Sequence, residues 1–133
     1  MARFAASLAI MQVRFARHTN RLDACVAFWR DQLGLPELTR FSDHDGYSGV
    51  ILELPGTGAH LELTSGGGHT APAPHPESLI VLYLGDWAAV RARAAAIASE
   101  PVPAANPYWD RCGLTFADPD GFRVVLAARS WPQ

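Results

Sequence analysis

The chain repeats itself. Gly49-Val-Ile-Leu-Glu-Leu-Pro55 aligns with Gly113-Leu-Thr-Phe-Ala-Asp-Pro119, 64 residues further on, and two helix starts, Leu22 and Trp87, lie 65 residues apart. A period held over most of a chain means that one supersecondary unit occurs twice, so the second copy is expected to fold like the first.

Each copy reads as strand, helix, then three strands. After Asn20, the expected N-cap, the residues Leu22, Cys25, Val26, Trp29 and Leu33 form one helical stripe that Gly34 ends. Asp86 caps the second helix, which runs through Trp87, Val90, Ala94 and Ile97 until Pro101 stops it. The β-rich runs are Val13–Thr19, Leu38–Ser42, Tyr47–Leu54, Ala59–Thr64, Leu79–Leu84, Gly113–Ala117 and Phe122–Ala127, with a weaker one at Val102–Ala105. Asp45-Gly46, Pro55-Gly56-Thr57-Gly58 and Asp118-Pro119-Asp120-Gly121 supply the tight turns. Ser65–Glu77 holds three glycines and three prolines and reads as a linker. The expected fold is therefore α+β: two tandem βαβββ modules at about 13–64 and 79–128, linker 65–78, an N-terminal extension 1–12 and a tail 129–133.

Composition narrows the function classes. At 133 residues, 49% hydrophobic and 18% charged, the chain has material for one self-sufficient core. No apolar run approaches the roughly 18 residues of a membrane span. A net charge of −2 offers no basic field, so neither nucleic acid nor a membrane is an expected partner. Arginine supplies all 11 basic side chains. Without lysine there is no Schiff base, pyridoxal anchor or Walker A site. Cys25 and Cys112 stand far apart and read as buried thiols of a reducing compartment. Met1–Ile10 is apolar with a single Arg3, a minimal charged n-region, and no clean small-x-small cleavage site follows, so the expected location is cytoplasmic. No serine has a nucleophile-elbow context, and Gly66-Gly-Gly68 lacks the setting of a phosphate loop.

Two segments carry a family resemblance. Leu22-Asp-Ala-Cys-Val-Ala-Phe-Trp-Arg-Asp-Gln-Leu-Gly34 and Gly113-Leu-Thr-Phe-Ala-Asp-Pro-Asp-Gly-Phe122 resemble the helix ending in "FY…LG" and the terminal "F.DPDG" hairpin of the vicinal oxygen chelate superfamily. That superfamily includes glyoxalase I, bleomycin-resistance proteins and extradiol dioxygenases. The resemblance spans about Val13 to Ala128 and implies paired modules whose curved sheets cup a pocket, in a homodimer. It also implies that metal-dependent members place ligands at positions occupied here by Arg14, Glu62, Leu79 and Val125. Only Glu62 can ligate; arginine is a permanent cation, and leucine and valine carry no donor atom. The family's metal site is thus expected to be lost, with no cofactor.

Strand alternation gives the candidate site. If Arg14 and Glu62 face the pocket, so do Ala16, His18, His60 and Thr64; from the second module come Leu79, Val81, Tyr83, Arg123, Val125 and Ala127. The opposite faces carry Val13, Phe15, Leu61, Leu63, Ile80, Leu82, Val124 and Leu126, expected under the helices. Arg14 and Glu62 are expected to form an ion pair, either anchoring an anionic ligand or serving only as a salt bridge. His18 and His60 are candidate bases or ligands, or simply polar histidines at a wet edge. In Asn106-Pro-Tyr-Trp-Asp110, Tyr108 and Trp109 are candidate apolar walls or packing residues. The leading expectation is a metal-independent small-molecule binder using Arg14, His18, His60, Glu62, Tyr83, Tyr108, Trp109 and Arg123. The alternatives are a metal-dependent lyase, isomerase or dioxygenase with a rearranged site around Glu62, His60 and His18, and a degenerate partner-binding module.

Overall fold

The computed structural model describes residues 11–70 and 73–132; Met1–Ile10 and most of the reading of the extension lie outside them. The elements are β1 (Arg14–His18), α1 (Leu22–Val26) running on into a π-helical turn (Ala27–Gln32), β2 (Glu37–His44), β3 (Tyr47–Leu54), β4 (Ala59–Gly66), β5 (Leu79–Tyr83), α2 (Trp87–Ala94), α3 (Pro107–Cys112), β6 (Gly113–Ala117) and β7 (Arg123–Ala127).

The two halves share one topology. The first sheet has the order β1-β4-β3-β2 and the second β5-β7-β6. In each, the first strand runs parallel to the last and the last is antiparallel to the strand before it. The weak strand expected at Val102–Ala105 shrinks to a single bridge, Val102 with Thr115, at the outer side of β6 where β2 stands in the first sheet. The repeated glycines have a packing reason. A Cβ on Gly49 would lie 2.5 Å from the Phe41 ring, and one on Gly113 would strike the Leu126 carbonyl. Both are points where only glycine lets neighbours close up.

Local signals were mostly followed. Asp45 and Gly46 take positive φ of 53° and 84°, the pair that a two-residue hairpin turn requires. Asp86 caps α2 by accepting from the Ala89 N–H at 2.8 Å. That helix ends three residues before Ile97, yet Ile97 remains buried. Three expectations need correction. Among the described residues Asn20 caps nothing; Arg21 stands at the N-cap without a side-chain bond, and its N–H donates to the Thr19 hydroxyl at 2.9 Å. The first helix is α-helical only to Val26, after which Leu33 N–H bonds back five residues to the Phe28 carbonyl. This π turn lets Phe28 and Trp29 both point inward, at 3% and 1% exposure. The third concerns Asn106–Asp110, which is not an irregular wall but the start of α3, with Asn106 as N-cap and Pro107 in its first turn.

One core joins both modules, uniting Phe28, Trp29 and Leu33 with Val50, Leu61, Leu63, Val90, Phe116, Val124 and Leu126. Most of the face assigned to the helices is therefore where alternation put it. Val13 and Phe15 are not, being 57% and 51% exposed. β1 is the edge strand of its sheet. Both cysteines are buried free thiols. Among the described residues no helix is long and apolar enough to cross a membrane.

Candidate functional site

Parallel pairing of β1 with β4 sets Arg14 beside His60, Ala16 beside Glu62 and His18 beside Thr64. Arg14, His18, His60 and Glu62 therefore share one face of the first sheet, opposite the core. The expected Arg14–Glu62 ion pair does not form. The Arg14 guanidinium lies instead against His60 Nδ1 at 3.4 Å, its direct register partner. Among the described residues Glu62 has no ion-pair partner. Two residues of offset along a parallel pair explain this, because the cross-strand neighbour is nearer than the diagonal one. Glu53 on β3 pairs in register with His60, so a second carboxylate belongs to the same face; alternation within β1 and β4 alone could not reveal it.

Next to this face the linker folds back. His18 Nδ1 and Thr64 Oγ1 are 3.3 Å apart. The His69 ring packs edge-on against His18, centroids 5.8 Å apart, and its Nε2 lies 3.0 Å from the Tyr47 hydroxyl. Among the described residues the buried His18 Nε2 has no hydrogen-bond partner. Tyr47 and His69 are additions to the site that the sequence did not mark, since a linker histidine carries no spacing signal.

The second-module candidates do not join this group within one chain. Tyr83 is 44% exposed and lines a small cavity with Leu35, Pro55 and Arg93. Tyr108 and Trp109 stack edge to face on α3, centroids 4.9 Å apart, and the Tyr108 hydroxyl accepts from Arg129. Val125 and Ala127, placed on the pocket face, are fully buried. Arg123 borders a different cleft of about 390 Å³ between the sheets, with Phe15, Arg17, Leu54, Leu61, Ser78, Leu79, Ile80 and Phe122.

The residues do not fit a metal held in the family's manner. Leu79 and Arg123 in the second sheet repeat the register of Arg14 and His60 in the first. Of the four implied ligand positions only Glu62 offers an oxygen, and Val125 is sealed. Among the described residues no three histidine, cysteine or carboxylate side chains gather to hold an ion.

A buried ionic cluster, unforeseen, ties the modules together. Arg17 pairs with Asp118 and, at 3.0 Å, with Asp120, and its guanidinium stacks 4.2 Å over the Phe122 ring. Trp29 Nε1 donates to Asp118 at 3.0 Å. Burial alone would raise the Asp120 carboxyl, but hydrogen bonds from Thr19, Arg17 and Cys25 and the Arg17 charge outweigh it and hold it below its usual value. Burial pushes the Cys25 thiol up, against hydrogen bonds from Thr19 and Arg17 that work the other way. Such a thiol is a packing group, not a nucleophile.

Comparison with known proteins gives this geometry its relatives. The model of the YycE-like N-terminal domain matches residues 13–64, and that of the YycE-like C-terminal domain matches 77–128. An uncharacterized protein of Bacillus subtilis strain 168, YycE, is 42% identical over 119 residues, 86% of either chain. The crystal structure of a YycE protein of unknown function from Bacillus subtilis has a TM-score of 0.83 at 39% identity, covering 90% of both chains. Leishmania major glyoxalase I scores 0.61 at 22% identity over 88% of this chain and 85% of that one. TnmS3, an antibiotic binding protein from Streptomyces sp. CB03234, scores 0.65 at 22% identity over 92% and 98%. The last two are likenesses of fold. By its two matched domains and its identity to YycE, the chain belongs to the YycE-like family of the glyoxalase and bleomycin-resistance fold, within the vicinal oxygen chelate superfamily.

Proposed function

We propose that this protein binds a small anionic molecule on the polar face of the first sheet, without a protein-held metal. The observation that carries the reading is Arg14. A permanent cation stands where the family resemblance implies a metal ligand, and among the described residues it lies against His60 Nδ1 and pairs with no carboxylate. A guanidinium with unspent donors recognises carboxylate or phosphonate oxygens in pairs. Glu62, Glu53 and His18 on the same face would then orient hydroxyl or amide groups of the ligand. TnmS3, of the same fold, is an antibiotic binding protein, which agrees with a binding role for the scaffold.

The test is calorimetric titration with phenylphosphonate and inorganic phosphate, before and after exhaustive dialysis against EDTA. Arg14→Ala should weaken binding by about tenfold, the size of one charge-assisted contact. Chelation should change neither affinity nor melting temperature. Stoichiometric metal in the purified protein, with binding lost on chelation, would overturn the reading in favour of a lyase, isomerase or dioxygenase built on Glu62, His60 and His18.

A further inference from the structure

The cleft between the two sheets has the composition of a ligand site of its own. Phe15, Arg17 and Leu61 alternate with Arg14, Ala16, His60 and Glu62 along β1 and β4, so this cleft opens on the other side of the first sheet from the polar face. Its volume of about 390 Å³ lies within the range of small-molecule pockets. The walls are hydrocarbon: Phe15, Leu54, Leu61, Leu79, Ile80 and Phe122.

Two guanidinium groups border it, in opposite electrostatic situations. Arg17 is neutralised by Asp118 and Asp120 and sits over the Phe122 ring, so it acts as floor. Arg123 donates one hydrogen bond, from an Nη to the Pro103 carbonyl at 3.0 Å. Among the described residues no carboxylate reaches it. A guanidinium has five N–H donors, and a cation at the rim of an apolar cleft attracts an anion strongly because little water competes there. Phe15 is 51% exposed while Arg17, two residues on, is 5% exposed, so the start of this strand face, Val13 included, lies open beside the cleft.

We propose that this cleft binds an arylalkyl carboxylate: the hydrocarbon body between Phe15, Leu61, Ile80 and Phe122, and the carboxylate on Arg123. The site is separate from the polar face around Arg14 and does not depend on it.

The experiment titrates the full-length protein with 4-phenylbutyrate, 4-phenylbutan-1-ol and 4-phenylbutylamine. The carboxylate should bind about tenfold more tightly than the alcohol, and the amine most weakly. Arg123→Gln should remove the preference for carboxylate while leaving alcohol binding unchanged. Ile80→Trp fills the cleft and should abolish binding of all three. Because that core-side change can cost folding, nuclear Overhauser contacts from the phenylbutyrate ring to Phe15 and Phe122 in the unaltered protein give an independent readout, and these contacts should appear. Arg14→Ala should leave the Overhauser contacts of phenylbutyrate with Phe15 and Phe122 in place. Equal binding of amine and carboxylate, indifference to Arg123→Gln, or loss of those contacts on Arg14→Ala would each overturn the proposal, the last by moving the ligand to the polar face. So would exclusion of the probe by a second copy of the chain seated on Phe15.

Discussion

Arg17 decides more about this molecule than any residue the sequence singles out. On β1 it occupies a core-facing position between Phe15 and Thr19, where alternation predicts an apolar side chain. Its partner Asp118 is 101 residues away in the turn of the repeated hairpin. Asp118 does three jobs at once: Oδ2 accepts from Arg17 and Trp29, while Oδ1 accepts from the N–H groups of Asp120 and Phe122 at 2.9 Å. Neutralising Asp118 weakens its bonds to Arg17 and Trp29 but leaves Arg17 paired with Asp120, so the cost is about 1.5–3 kcal/mol, the size of a charge-assisted hydrogen bond, rather than that of a stranded charge. Asp118→Asn should lower unfolding free energy by about that amount in urea titration, and more than Asp31→Asn, whose carboxylate is 56% exposed. Equal effects would show the cluster to be dispensable. The sequence contained a cue, a charged residue out of phase on an apolar strand face, but not the identity of its partner.

At the scale of elements, most of what was legible came from chemistry confined to a few neighbouring residues. β3 and β6 occupy the runs read from composition, and Asp86 and Gly34 mark helix ends where capping rules put them. α3 was legible too, since Asn followed by Pro is a helix start by the same rules; its two aromatic residues drew attention to ligand contact instead. The π turn was not legible, because Leu22, Cys25, Val26, Trp29 and Leu33 fit an unbroken α-helix equally well. The repeated glycine makes a sharp prediction for β6. Gly113 has ordinary extended φ, so alanine there meets no backbone strain; its Cβ instead drives into the Leu126 carbonyl of β7. Gly113→Ala should cost about 1–3 kcal/mol by thermal melt, the usual size of overpacking. A neutral substitution would mean that β6 and β7 can part without loss.

For the whole molecule, acid stability follows from its carboxylates. Glu37 is held at about 2, from 4.5, by hydrogen bonds first from Arg40 and then from Arg30; Asp31 and Asp120 are shifted the same way. A carboxyl that binds its proton less readily in the folded state contributes stability that is fully present above its unfolded value and is lost as pH falls through its folded one. Unfolding free energy should thus decline from about pH 4.5 to about 2, and Glu37→Gln should flatten part of that slope. An identical slope in the variant would assign the loss to other groups. The candidate site shows the same dependence on the whole. Arg14, His18, His60 and Glu62 were brought together as read, because one strand pairing places all four. Tyr83, Tyr108, Trp109 and Arg123 went to separate surfaces, because their position relative to the first module depends on how the two modules pack.

By itself, the amino-acid order determined the duplication, the turns, the edges of most elements and the polar face of the first sheet. All of these rest on contacts within a few residues or on a period of about one module. Only the tertiary structure decided that Arg14 would turn to His60 rather than Glu62, that Arg17 would be buried between two aspartates, and that Phe15 and Arg123 would meet across one cleft. Those choices depend on which distant surfaces come within a few ångströms, and packing and charge neutralisation settle that only once both modules are in place.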